Sequence, residues 1–583
     1  MKATKLVGSF MLIAFCLAAC TGTPVASTPV VVTSAPEIIT ATPAPLASTA
    51  VVSTSAPEIV TATPAPVDKS GGTLVWGVDS EPPGFNPILN DFGVEIVVYQ
   101  LTSEPLTWGG ENFPPNLNPV LATSWETSSD GLTWTIHLRK GVTWQDGTPF
   151  TADDVLFWAK AIQDPNTTGA EWLRSRFSVN DQPFVFKKVD DNTVTITTAA
   201  PVPTLMNDIC APLIPAHYFQ QNNVADADMV KDPFNTTKNM GTGPFKISSY
   251  VKGEAVTLVR NDNYWGGKPY LDSIQIRIIP DDQARVVALQ SGEVDFEQID
   301  PRFVPQLIGS PSIQLINKTI DMQDHYRLNV SKPALKDKRT RQALFMALDR
   351  SAIMQAMTLG YGQIADSPFN PVVTAYAPQA TTYAYDVNQA QQLLADVGWQ
   401  KGSDGILVAK SVAGVAPGTR FTLVLDVQYS SDLTAMTMAQ SYWKAIGIDA
   451  TIRQIDPNVW HDENIGKAVK PYDVEWTGVG FIGDNGVNYN WLMASNPTDS
   501  EMSYQNPAVN ALFEQAKTTA DVAQRDTYLK QAAAMVWDDL PYLPIYYEKR
   551  VFAANSKVHF DAADWQTGMV GIFGKPGSIW IEK

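Results

Sequence analysis

Cysteine, histidine and positive charge are all scarce in this chain, and each scarcity removes a class of function. Three Cys among 583 residues exclude a disulfide framework and a Cys-rich metal site. The five His (His137, His217, His325, His461 and His559) are too widely spaced for an HExxH helix or a comparable metal pair. Lys and Arg total 42 against 60 Asp and Glu, leaving a net charge of −18. No nucleic-acid partner is expected, because such a protein needs a basic footprint. No GxSxG elbow occurs. Gly266-Gly267-Lys268 is followed by Pro269 rather than Ser or Thr, so it reads as a turn and not a phosphate loop. A helix start and a solvated loop explain the carboxylate pairs Asp153-Asp154 and Asp281-Asp282. No cofactor is expected.

What remains is the composition of a folded protein: 44% hydrophobic, 17% charged, with 16 Trp to pack or stack. Its length implies several domains or a few large ones. The first residues carry an address. Lys2 and Lys5 precede an apolar stretch over 7–19, too short to span a bilayer but suited to a secretory signal. That stretch ends Leu17-Ala18-Ala19-Cys20, which resembles a bacterial lipobox. In such signals the Cys is lipidated and begins the mature chain, so Cys20 is expected to anchor the protein to a membrane. No later run reaches the length of a membrane-spanning helix. With Cys20 acylated, Cys210 has no partner and reads as a small buried residue.

Residues 20–68 are expected to be a tether. The Pro/Thr/Ser-rich stretch repeats itself, TSAPEIITATPAP at 33–45 against TSAPEIVTATPAP at 54–66. Frequent Pro blocks helix and ladder and favours extended chain, with a reach of about 130 Å at full stretch.

From Gly71 the texture changes to alternating strands and helices. Strands are expected near 73–78, 133–138, 194–197, 255–259, 274–279, 421–427 and 450–455. Within 133–138, His137 is out of phase with Ile136 and Leu138, so it faces solvent or a local partner. A helix starts at Thr151, with Asp154 at the capping-box position. Further helices are expected over 341–357, over 435–446 and from Asp521 to Trp537, the last ended by Pro541 and Pro544. The class is therefore α/β.

Several motifs then point to a family. LATSWETSSDGLTWTIHLRKGVTWQDGTPFTADDVLFWAKAI at 121–162 closely resembles the family 5 extracytoplasmic solute-binding proteins, the peptide-, dipeptide- and nickel-type receptors of ABC importers. GTGPFKISSY (241–250), RNDNYWGGKPYLDSI (260–274), ALQSGEVD (288–295), KRTRQALFMALDRSAI (338–353) and AQQLLADVGW (390–399) follow in the family's order. Asp130-Gly131 and Asp146-Gly147 are turn dipeptides, so these motifs identify scaffold better than substrate. The resemblance implies a two-lobed periplasmic-binding-protein-like fold with a hinge. Lobe I would comprise 69–98, 185–318 and 545–583, lobe II 319–544, and an extra inserted domain 99–184. Ligand would bind between the lobes and hold them closed.

The same resemblance suggests site residues. GFIGDNGVNYNW (480–491) resembles the segment in which peptide receptors pair an Asp with the ligand's α-ammonium. Asp484 matches that Asp, flanked by Phe481, Asn485 and Trp491; alternatively Asp484 belongs to an Asp-Asn-Gly turn without ligand. Ser80, Glu81 and Phe85 lie in a Pro/Gly-rich loop that matches a first-lobe cleft segment, and a simple turn is the competing account. Tyr429 follows the strand at 421–427, where dipeptide receptors hold a carboxylate. No Arg lies at 426–436, which weakens a strict dipeptide clamp. The expected partners are a peptide ligand and the permease of an ABC importer, with the receptor a monomer. An oligosaccharide could instead stack on Trp476 and Trp491. A nickel complex fits poorly without a His near Asp484, and a secreted hydrolase is a minor alternative.

Overall fold

The computed structural model describes residues 68–89, 94–109, 117–180, 182–429, 432–464, 470–480, 502–560 and 576–583. The chain divides into two units, Met1–Pro66 and Val67–Lys583, and every described residue belongs to the second. The signal peptide, Cys20 and all but the last residue of the expected tether lie outside the described residues.

An eleven-stranded sheet organises the second unit. Its strands run in the order Phe245–Val251, Ala255–Arg260, Ser273–Ile278, Thr73–Val78, Phe296–Ile299, Tyr542–Asn555, Ile313–Leu328, Val474–Gly480, Thr422–Val427 and Asp449–Gln454. Gly362–Ile364 joins as an extra edge on Tyr542–Asn555. Two of these strands are long, 14 and 16 residues, and they pair with each other along most of their length. One half of each belongs to the first lobe's ladder and the other half to the second's. The chain therefore crosses between lobes twice, on adjacent strands.

Each lobe has its own core. In the first, Leu74, Trp76, Ile274, Ile276, Phe296 and Phe552 pack together. Ser273–Ile278 buries alternate residues, whereas Thr73–Val78, Phe296–Ile299 and Tyr542–Asn555, inside the sheet, bury consecutive ones. In the second, Leu423, Leu425, Val427, Trp443, Trp476 and Tyr546 form a larger cluster under helix Leu433–Ala445.

A separate four-stranded sheet, Ala122–Thr127, Thr133–Leu138, Thr193–Thr197 and Val185–Asp190, carries helix Ala152–Gln163. The helix opens with a full capping box from Thr151 and Asp154. His137 on its exposed strand face meets Glu126 at 3.1 Å. Two strands of this sheet lie beyond residue 184, where the inserted domain was expected to stop.

Three expectations change. The helix expected over 341–357 is two helices, Lys338–Met346 and Arg350–Thr358. Asp349 breaks it by accepting from the Ala352 N–H as the second helix's cap, a local bond that competes with helix continuation. Asp281 is not in a plain solvated loop but caps helix Asp282–Ser291 through the Ala284 N–H. Pro544 lies inside strand Tyr542–Asn555 at a register shift, where a missing N–H is tolerated.

The family motifs meet at one junction. Residues Ser103 and Glu104 follow helix Val94–Thr102, and Gly241 packs so tightly there that a Cβ would lie 2.0 Å from the Thr102 carbonyl oxygen. Glu104 accepts from Thr242 Oγ1, Tyr264 OH and Trp265 Nε1, each at 2.7 Å. Gly241 and these aromatics therefore serve packing. Cys210 is partly buried, and burial raises its thiol, which suits no nucleophile.

Candidate functional site

Strand direction locates the site. In the first lobe Thr73–Val78 runs parallel to Ser273–Ile278 and Phe296–Ile299. The carboxyl end of the last, Ile299, lies opposite Val551, which in turn pairs with Asn317. In the second lobe Thr422–Val427 runs parallel to Asp449–Gln454 and Val474–Gly480. The carboxyl end of that group, Gly480, lies opposite Met322. Both lobes thus turn the carboxyl ends of their parallel strands toward the same stretch of the crossing strands, about residues 317–322 and 547–551. Ligands of open α/β sheets bind at such ends.

The crossing itself is irregular. Its ladder shifts register between Thr319 and Gln323 and again between Asp324 and His325. Asn370 holds the first irregularity, its Nδ2 donating to the Ile320 and Met322 carbonyls, each at 3.0 Å. Gln323 Nε2 donates to the Ser367 carbonyl at 3.0 Å. His325 is fully buried against Tyr542, and burial pushes its pKa down to about 3, so the imidazole is neutral.

The expected first-lobe residues prove committed to their own lobe. Phe85 is buried and meets Tyr250 edge-on. Its N–H donates to the Asn235 carbonyl, its carbonyl accepts from Asn239 Nδ2, and the Asn86 N–H donates to Asn235 Oδ1. A Cβ on Gly84 would sit 2.2 Å from Asn235 Oδ1, so only glycine fits. The backbone of Phe85 and the Asn86 N–H are thus held by Asn235 and Asn239 within this lobe. Glu81 accepts from Tyr250 OH and the Gly253 N–H, and the Tyr250 hydroxyl holds its carboxyl below the usual range. Ser80 is exposed and donates to Asp79. Tyr429 differs. It is 58% exposed, and with Val427, Gln428, Gln454, Ile455 and Asp456 it lines a cavity of about 300 Å³ at the second lobe's strand ends. Phe481, Asp484, Asn485 and Trp491 lie outside the described residues. Trp476 is buried between Tyr326 and Tyr546, so its ring is core and offers no face to a sugar.

Sequence reasoning missed the charges on these strands. Arg453, Asp426, Glu475 and Arg327 occupy successive register positions across four strands. Arg453 holds Asp426 at 2.6 Å, Arg327 holds Glu475 at 3.2 Å, and Gln428 also donates to Glu475. Buried charges persist only when paired in this way. Asp324, on the opposite face, has no such pairing. It is 8% exposed, and its Oδ2 is buried without a hydrogen-bond partner. Burial lifts its carboxyl well above the usual carboxylate range, with Glu548 and Asp432 adding to the rise and Tyr546 and Arg550 opposing it. The signal lay in the run Asp321-Met322-Gln323-Asp324-His325, too polar for a strand at the centre of a sheet.

The profile of the bacterial extracellular solute-binding proteins, family 5 Middle, matches residues 116–501. The chain belongs to that family. This family 5 protein is 30% identical to the dipeptide-binding protein of Escherichia coli over 81% of its own length and 89% of that protein's. It is 28% identical to heme-binding protein A of Haemophilus influenzae, covering 82% of this chain and 87% of that one. Among solved structures, the ABC transporter substrate-binding protein CtaP of Listeria monocytogenes superposes with a TM-score of 0.75 at 28% identity, covering 88% of this chain and all of that one. This family 5 protein shares the two-lobed fold of such proteins. Among the described residues no helix is long and apolar enough to cross a membrane.

Proposed function

We propose that this protein is an extracytoplasmic receptor that captures short peptides between its lobes and delivers them to the permease of an ABC importer. The observation that carries the peptide reading is the 30% identity to the dipeptide-binding relative across most of both chains. The convergence of strand ends on one crossover supports an interlobe site. We further propose that Cys20 is lipidated, that residues 20–68 tether a monomeric receptor to the membrane, and that Asp484 pairs with the peptide α-ammonium. Lobe I would hold 69–98, the sheet strands from 245 to 318 and 545–583, and lobe II 319–544. The inserted domain would begin near 99 and, because its sheet includes Thr193–Thr197, extend past 184. Closure of the lobes on ligand would give the permease a shape that reports occupancy.

Calorimetry tests the ligand class. The whole protein, stripped of ligand by partial unfolding and refolding, would be titrated separately with a di- to octapeptide mixture, with oligosaccharides and with hemin. Peptides should bind, and at one hundred times the dissociation constant they should add about 2.7 kcal/mol of stability. Binding of sugars alone or hemin alone would keep the fold and overturn the peptide reading.

A further inference from the structure

The second lobe's strand Val474–Gly480 carries glycine at alternate positions, Gly478 and Gly480, so one face of its end has no side chain of its own. Both glycines are half-buried, and solvent reaches this strip. Asp324 lies beside it. A Cβ on Gly478 would come within 2.9 Å of Met322 Cε and 3.1 Å of Asp324 Oδ1. The glycine thus makes the room in which the Asp324 carboxylate lies against this strip, with the flexible end of Met322 beside it.

Around this strip the charge is mostly negative. Asp432 stands at the start of helix Leu433–Ala445, just past Tyr429, and its N–H donates to the Tyr429 carbonyl at 3.0 Å. Glu548 lies on the neighbouring crossing strand. Among the described residues Arg550 and the Tyr546 hydroxyl oppose these charges, and Arg550 approaches Glu548 only to 3.7 Å. A peptide C-terminal carboxylate brought here would meet three acids. An isolated buried carboxylate is costly, and it persists where something else gains from it.

We propose that Asp324, with Asp432 and Glu548 around it, forms a cation-accepting subsite of the interlobe cleft, so that the receptor favours peptides carrying a lysine or arginine side chain there. The inference rests on the peptide reading and narrows its substrate class. The ligand's ammonium supplies the partner that Asp324 Oδ2 lacks within the protein. Binding then favours the ionised carboxylate and releases a proton, so affinity for basic peptides rises with pH.

The test compares tripeptides that differ at one position, lysine against its uncharged isostere norleucine, scanned through all three positions. In the wild-type whole protein, lysine at one position should bind about tenfold or more tightly than norleucine. Asp324→Asn, checked for folding by thermal unfolding, should bring that ratio near one. Calorimetry of the wild type in two buffers of different ionisation enthalpy gives a readout that needs no variant. It should show proton release with the lysine peptide and none with the norleucine peptide. Tripeptides that bind without a lysine preference, or a preference that survives Asp324→Asn, would overturn the subsite and leave the peptide reading standing. Failure of every peptide to bind would overturn both.

Discussion

Two buried carboxylates, equally hidden, have opposite surroundings. Glu104 at the first lobe's junction is 7% exposed, and Asp324 at the crossing between lobes is 8% exposed. Glu104 receives three hydrogen bonds, from Thr242, Tyr264 and Trp265. Arg139 lies over the Trp265 ring, its guanidinium 4.1 Å from the centroid. Burial still pushes the Glu104 carboxyl up to about 7, with all four neighbours pulling it down. Asp324 keeps one oxygen, Oδ2, without a hydrogen-bond partner, and the Tyr546 hydroxyl is the donor beside its carboxyl. A saturated buried acid is a fastening, because every group in the network depends on it. An unsaturated one is a liability to folding, retained for some other use. The first lobe's loop at 79–87, with its backbone tied to Asn235 and Asn239, follows the Glu104 pattern. The second lobe's strand ends, with exposed Tyr429, follow the Asp324 pattern.

The largest effect should come from cutting the fastening. Glu104→Ala would leave three buried or half-buried donors without an acceptor and open a cavity. It should destabilise the protein by about 4 kcal/mol, measured by urea unfolding. Glu104→Gln keeps the volume and one acceptor oxygen but turns an NH₂ toward a donor, so about 2 kcal/mol is expected. A loss under about 1 kcal/mol for both would mean that the network is not a fastening, and the contrast with Asp324 would collapse.

A smaller effect is expected at the crossing itself. Asn370→Ala removes both donations to the carbonyls that flank the register shift, at Ile320 and Met322. About 2 kcal/mol should be lost, since two buried acceptors go unpaired. Amide hydrogen exchange should rise over 319–325 more than over 73–78. Uniform exchange across both strands would show that Asn370 does not stiffen the crossing in particular.

How much of this was legible in the sequence depended on whether the local pattern and the global fold agreed. The capping box at Thr151 and Asp154, and the strands at 73–78, 422–427 and 449–454, were readable because period and cap chemistry are local. The crossing strands Ile313–Leu328 and Tyr542–Asn555 were not expected as strands. A strand that passes from one lobe to the next changes which face it buries, and register shifts at 319–325 reverse its phase, so no single alternation survives. Pro544 looked like a terminator because its place at a shift is a tertiary fact. Phe85 resembled a cleft residue because its loop matches a family segment, yet Asn235, distant in sequence, turns that loop inward. Asp324 carried a signal, a polar residue in the middle of a sheet, but that its Oδ2 lacks a partner is visible only in three dimensions.

The smallest effect is the one that sharpens the comparison most. Asp324→Asn keeps the shape and removes the titration. Burial raises the folded-state carboxyl above its unfolded value, so the folded protein holds the proton more tightly than the unfolded chain. The stability this gives is complete below the ordinary aspartate range, near 3.8, and is lost as pH climbs toward the raised folded value. The variant has no such loss. At pH 4, where little of that stability has been lost, the two proteins should differ by less than about 1 kcal/mol in urea unfolding. At pH 8 the variant should gain relative to wild type, because only the wild type must then bury a charge or carry its proton against the solvent. A lysine-containing peptide should narrow or reverse that order at pH 8 by stabilising the wild type more than the variant, by about 1.4 kcal/mol for a tenfold difference in affinity. Parallel stability curves for the two proteins from pH 4 to pH 8 would show that Asp324 is ordinarily ionised and already compensated. The two buried acids would then be two fastenings rather than a fastening and a receptor.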